Sequence, residues 1–166
     1  AGDQRVYVMG MSAEEAARLW TVVTDPAEAD VAVVRVNAPW EHRDSMFLEA
    51  WFHQGSLDFS AETVAEITAL AAQVPVVLDV MLDRPAILTP LVDVATAIVG
   101  TYGTSDPALV AALTGEVAPE GRLPFQLPRS MEAVAASRPD VASGEVVFDE
   151  GPEAYWDPDL DGFGRA

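Results

Sequence analysis

Asp30-Val31-Ala32-Val33-Val34-Arg35-Val36-Asn37 decides the fold. The run is apolar almost throughout instead of alternating, so it reads as a strand covered on both faces, the pattern of a parallel sheet. Pro75-Val76-Val77-Leu78-Asp79-Val80-Met81-Leu82 has the same character. Arg5-Val6-Tyr7-Val8-Met9-Gly10 and Ala95-Thr96-Ala97-Ile98-Val99-Gly100 read as two further strands. Helical signals lie between them. Ser12 followed by Glu15 is a capping box and opens a helix through about Trp20. Ser60 starts a second helix with Val64, Ile67, Leu70 and Val74 on one stripe. Pro85 suits the first turn of a third, with Ile87, Leu88 and Leu91 inward. Asp106-Pro107 caps and begins a fourth, which runs through Leu113 and stops at Gly115.

Strands thus alternate with helices four times. This predicts an α/β fold, a mostly parallel open sheet with helices on both faces in the flavodoxin-like manner, with right-handed crossovers. Leu123 to Leu127 reads as a last strand at an edge, given its flanking prolines. The expected organisation is an α/β sandwich domain over residues 1–128 and an irregular tail over 129–166, where prolines, glycines and acids dominate.

The 166 residues suffice for one domain with a core of its own. Half of them are apolar, but no apolar run approaches the roughly 18–20 residues of a membrane helix. The formal charge is −18 and the isoelectric point about 4.1. Such a chain repels phosphate backbones and anionic bilayers, so neither nucleic acid nor membrane is an expected partner. With no cysteine, disulfides and thiolate metal sites are excluded and the compartment stays open, cytoplasmic or secreted. The opening Ala1-Gly2-Asp3-Gln4-Arg5 has neither an initiator Met nor the pattern of a signal peptide, which reads as a chain cut from something longer.

In open α/β sheets, ligands bind beyond the carboxyl ends of the strands. Three loops meet that condition: Asn37 to Asp44, Leu82 to Pro85, and Thr101 to Asp106. The first is the richest, with Trp40, Glu41, His42, Arg43 and Asp44 in one run. A glutamate beside a tryptophan, on a loop closing over a ligand, has its pKa raised by desolvation and can serve as a general acid. Trp40, Phe47, Trp51 and Phe52 offer apolar faces for stacking. Taken singly, His42 and His53 read as hydrogen-bonding residues, and Asp79 and Asp83 as surface or capping residues instead of metal ligands. The tail acids lack the spacing of a calcium loop. Gly100 and Gly103 lack the third glycine of a dinucleotide fingerprint. No cofactor and no metal is expected.

Several segments carry a resemblance. Ala29-Asp30-Val31-Ala32-Val33-Val34, Pro75-Val76-Val77-Leu78 with Asp83-Arg84-Pro85, Gly103 to Gly115, Gly121-Arg122-Leu123-Pro124, and Phe163-Gly164 stand in the order found in the C-terminal domain of glycoside hydrolase family 3, the β-glucosidase-type enzymes. The chain resembles that domain from about Glu28 to Arg129. The resemblance implies a preceding (β/α)8 barrel that supplies a nucleophilic aspartate and most sugar-binding groups. It implies that this domain supplies the acid/base glutamate of a retaining β-glycosidase from the loop after an early strand. Glu41 is the position that best matches it, with Asp44 and Glu49 as fallbacks. Trp40, Arg43, Asp44 and His53 are then expected to bind the carbohydrate substrate, and the isolated chain is expected to be inactive. The sequence departs from the family at Phe52 to Phe59, at Gly103 to Pro107 and at Ala118, in loops near the substrate. An alternative is a non-catalytic structural or sugar-binding α/β module. A flavin-binding protein is disfavoured, because Met9-Gly10-Met11-Ser12 offers few groups for a flavin phosphate.

Overall fold

The computed structural model describes residues 4–42, 51–138 and 141–149. Five strands form a parallel sheet: β1 (Arg5–Met9), β2 (Thr21–Val23), β3 (Val31–Asn37), β4 (Val76–Met81) and β5 (Ala97–Thr101). Their spatial order is β2-β1-β3-β4-β5. Val31 to Val34 and Val76 to Val80 are wholly buried, so the two continuous apolar runs are the centre of the sheet.

Helices cover both faces. On one side, α1 (Ala13–Ala16) and α4 (Asp106–Leu113) pack Ala16, Leu109, Val110 and Leu113 against Val6, Val31, Val33 and Val77. On the other, α2 (Ala61–Ala71) and α3 (Thr89–Val92) pack Ile67, Leu70 and Leu91 against Ala32, Val34, Leu78 and Val80. Alternate residues of each strand serve opposite cores, as the pleat requires. The fold is the doubly covered parallel α/β sheet that the sequence implies. Among the described residues no helix is long and apolar enough to cross a membrane.

Several local readings change. Ser12 caps α1 as expected, its Oγ accepting from the Glu15 amide at 3.2 Å, but the helix ends at Ala16. The chain then turns so that Trp20, 5% exposed, enters the core, and Thr21–Val23 forms the edge strand β2, which the sequence reading lacks. Pro85 does not start α3. Ala86 to Leu88 runs past the segment at Leu57, with the Ile87 amide donating to Leu57 O at 2.9 Å, and Pro90 is the proline in the first turn. Ser105, not Asp106, is the N-cap of α4. Leu123 to Leu127 does not extend the main sheet. Only β6 (Leu127–Pro128) is a strand, and it pairs antiparallel with β7 (Val146–Phe148). Beyond Arg129 the chain also carries α5 (Met131–Ala136), capped by Ser130.

At the start of β1, Asp30 Oδ2 accepts from the Arg5 amide and Oδ1 from its guanidinium, both at 2.9 Å. The hydrogen bond from the Arg5 side chain, then that from its amide, lowers the Asp30 pKa. A lowered carboxyl adds stability above the ordinary aspartate range and loses it as pH falls through the folded value. Asp30→Asn is therefore expected to melt below the unsubstituted chain at pH 6. The gap closes as pH falls below the ordinary aspartate range, and thermal melts between pH 2 and 6 check it.

Candidate functional site

The strand order reverses at β1. The chain passes from β1 to its neighbour β2 on one side, then to β3 on the other. The connections leaving β1 and β3 accordingly diverge, one to α1 and one to α2, on opposite faces. A crevice opens at the carboxyl ends of such a pair of strands. Here it is a cleft of about 600 Å³, with Gly10, Arg35, Trp40, Glu41, Asp58 and Thr63 among its lining.

Arg35, which lines the cleft, also belongs to a charge cluster. Arg35 in β3 is flanked by two carboxylates. Its Nε donates to Asp79 Oδ2 in β4 at 2.5 Å, and its NH1 to Asp106 Oδ1 at the start of α4, also at 2.5 Å. Asp79 is fully buried and also accepts from Thr101 Oγ1 at 2.8 Å. Asp106 Oδ2 accepts from the Ser12 amide at 2.8 Å. The cluster thus joins β3, β4, β5, α4 and the loop after β1. Gly10 lies directly against the Arg35 main chain. With φ +74°, a Cβ there would stand 2.1 Å from Arg35 O. Asp79 is therefore no surface or capping residue. It is buried because a guanidinium and a hydroxyl satisfy it, without which the charge is too costly to desolvate.

The rim is built from the connections after β3 and after β4. After β3, Trp40 and Glu41 face residues 53–56. The Glu41 amide donates to Gln54 O at 2.7 Å, and its Oε1 accepts from the Ser56 amide at 3.0 Å. The side chain lies directly on Gly55, where φ is +86° and a Cβ would stand 2.4 Å from Glu41 Cδ. Only glycine accepts both the left-handed backbone and the contact. Gly55→Ala is expected to displace the Glu41 carboxylate and to destabilise the chain by roughly 1–2 kcal/mol, read by urea unfolding.

Trp40 is 41% exposed, and its indole stacks on His53, ring centres 4.5 Å apart and planes 7° from parallel. His42 meets it edge-on at 5.6 Å. His53 Nδ1 is paired with Asp83 Oδ2 after β4. Arg84 NH2, one residue on, donates to Gly55 O at 2.9 Å.

The structure thus gathers Trp40, Glu41 and His53 at one rim. Arg43 and Asp44, with Phe47 and Glu49, lie outside the described residues. Trp51 and Phe52 project from the same loop as His53, Trp51 being 84% exposed. Arg35, Asp79 and Ser56 were not anticipated as site components, and Asp83 and Arg84 only as members of the Leu82–Pro85 loop. One signal was available for the first two. Each is a charge interrupting an otherwise apolar strand, and in register the two are partners. Among the described residues no group of three or more His, Asp and Glu side chains is placed to hold a metal ion.

Several known proteins are similar to the chain. The model of the glycosyl hydrolase family 3 C-terminal domain matches residues 5–154. Beta-glucosidase C of Emericella nidulans is 44% identical over 138 residues, 82% of this chain and 22% of that protein. The periplasmic beta-glucosidase/beta-xylosidase of Dickeya chrysanthemi is 38% identical over 141 residues, again 82% of this chain and 22% of the relative. The chain therefore spans about a fifth of the length of these relatives. The fold is shared with a beta-glucosidase from Listeria innocua solved in complex with glucose. The TM-score is 0.69 at 12% identity, over 92% of this chain and 30% of that one.

Proposed function

Because the chain belongs to the glycosyl hydrolase family 3 C-terminal domain family, we propose that it forms one wall of the active site of a retaining β-glycosidase of β-glucosidase type. Glu41 is its general acid/base. The nucleophilic carboxylate comes from a preceding barrel domain of the same polypeptide. The observation that carries this reading is the placement of Glu41 on the rim of the switch-point cleft, its carboxylate held by the Ser56 amide beside the exposed Trp40 face. The greater length of the relatives leaves room for the second domain.

The chemistry runs in two steps. The nucleophilic carboxylate attacks the anomeric carbon while protonated Glu41 gives its proton to the departing glycosidic oxygen, and the aglycone leaves as an alcohol. Water then attacks the glycosyl ester as the Glu41 carboxylate takes a proton from it, releasing the sugar with its original anomeric configuration. Trp40 offers a flat apolar face to the sugar ring. Arg43, Asp44 and His53 are the remaining candidates for sugar contact.

Hydrolysis of aryl β-glycosides by the full-length protein tests the reading, compared with this chain alone and with the chain mixed with its upstream domain. Activity in the full-length protein and in the mixture, with none in either part, is the expected result. No turnover by a folded full-length protein, with sugar-dependent stabilisation of the chain, would favour a non-catalytic binding module.

A further inference from the structure

We propose that Asp83 and Arg84 are a clasp of positioning residues. Asp83 holds the Trp40 face through His53, and Arg84 holds the Glu41 carboxylate through Gly55. The proposal rests on the reading of Glu41 as acid/base and Trp40 as sugar platform, and adds which residues fix them in place.

The geometry has two arms from one root. The root is rigid. Leu82 is buried, and its amide donates to Thr101 O at 2.7 Å, so the residues that follow it emerge from the sheet in a fixed direction. The first arm runs from Asp83 to His53 Nδ1 and across the His53–Trp40 stack. An imidazole tethered through one nitrogen loses its freedom to rotate, and a fixed imidazole face sets the plane of the indole lying on it. The second arm runs from Arg84 NH2 to Gly55 O. Gly55 carries the Glu41 side chain on its α-carbon, and the next amide, of Ser56, holds Glu41 Oε1. Displacing the Gly55 peptide moves both the surface under the carboxylate and its donor. His53, named above as a candidate for sugar contact, acts here through Trp40.

The arms end on groups with different tasks, so they separate kinetically. A sugar platform binds ground state and transition state alike and appears in KM, whereas a misplaced proton donor appears in kcat. In the full-length protein with an aryl β-glucoside, Asp83→Ala and His53→Ala are each expected to raise KM roughly 3- to 10-fold, with kcat nearly unchanged. The double variant is no worse than His53→Ala alone, and in a Trp40→Ala background neither change has further effect. Arg84→Ala is expected to lower kcat by about 10- to 100-fold with little change in KM. If Arg84→Ala fails to fold, Arg84→Lys reads the same arm. Its flexible ammonium loses the fixed fork, and kcat falls by roughly 3- to 10-fold at an unchanged melting temperature.

A second readout is independent of catalysis. The Trp40 indole N–H resonance of the chain, identified by its loss in Trp40→Phe, is expected to move in Asp83→Ala and in His53→Ala. An unmoved resonance, additive KM effects of Trp40→Ala and His53→Ala, or Asp83 and Arg84 variants that alter one kinetic parameter alike would overturn the clasp. A full-length protein that hydrolyses no glycoside, with the resonance moving as described, would instead remove the glycosidase reading and leave the Asp83 arm standing.

Discussion

Glu41→Gln in the full-length protein is expected to lower kcat on glycosides with poor leaving groups by about 10²- to 10⁴-fold, the usual contribution of a positioned general acid. The substitution is close to isosteric. Its amide oxygen can still accept from the Ser56 amide, and its stem still lies on Gly55, so the rim geometry described above is retained. What it loses is the proton. On an aryl glycoside whose phenolate leaves unaided, the first step needs no acid, and only the water-dependent second step slows. The glycosyl-enzyme then accumulates and a burst of phenol precedes slow turnover. Azide attacks the anomeric carbon without a general base, so adding it should restore turnover and yield the β-glycosyl azide. Wild-type turnover by the folded variant would remove Glu41 from the reaction and move the search to Asp44 and Glu49.

Arg35→Met is the substitution expected to cost the fold most. It leaves two carboxylates, Asp79 fully buried and Asp106 largely so, facing the space of a lost guanidinium. Breaking a buried pair on one side typically costs about 3–5 kcal/mol, because the remaining charge is desolvated and unpaired. For a domain of this size that corresponds to a fall in melting temperature of roughly 6–20 °C. Removing Asp79 as well, as in Arg35→Met with Asp79→Leu, is expected to recover part of the loss, since the fully buried carboxylate is then gone and only the partly exposed Asp106, still held by the Ser12 amide, has lost its guanidinium. Urea unfolding of the three proteins at neutral pH checks the series. Equal losses in the single and double variants would show that the cluster acts through shape instead of charge.

The strands at the centre of the sheet were legible because a strand buried on both faces must be apolar at every position. That constraint is written into Val31 to Val34 and Val76 to Leu78. The edge gave no such signal. β2 has three residues with Thr21 exposed, too few for a period to show. The capping box of Ser12 predicted where α1 starts but not where it ends, because Trp20 is drawn into the core by packing with residues far along the chain. Pro85 misled for a similar reason. Its local preference suits a first helical turn, but the backbone groups of Ile87 are taken by the segment at Leu57 and Asp58. In the site, Trp40 and Glu41 were accessible to sequence reasoning because their chemistry is concentrated in one loop. Their supports were not, since Asp83 and Arg84 meet His53 and Gly55 only through the topology.

Every pairing in the main sheet is parallel, and this bears on how the chain reaches its fold. Arg5 pairs alongside Thr21, Val6 also alongside Val31, and Ala32 alongside Val76. No two strands of that sheet are joined by a hairpin, so none can zip up from a turn. Each ladder requires closing a long loop before any hydrogen bond compensates the lost entropy. Folding is therefore expected to be slow and all-or-none. β3 has nothing to join on its far side until β4 has been synthesised, so a nascent chain stopped before Val76 holds the Glu41 loop without the strand that orders it.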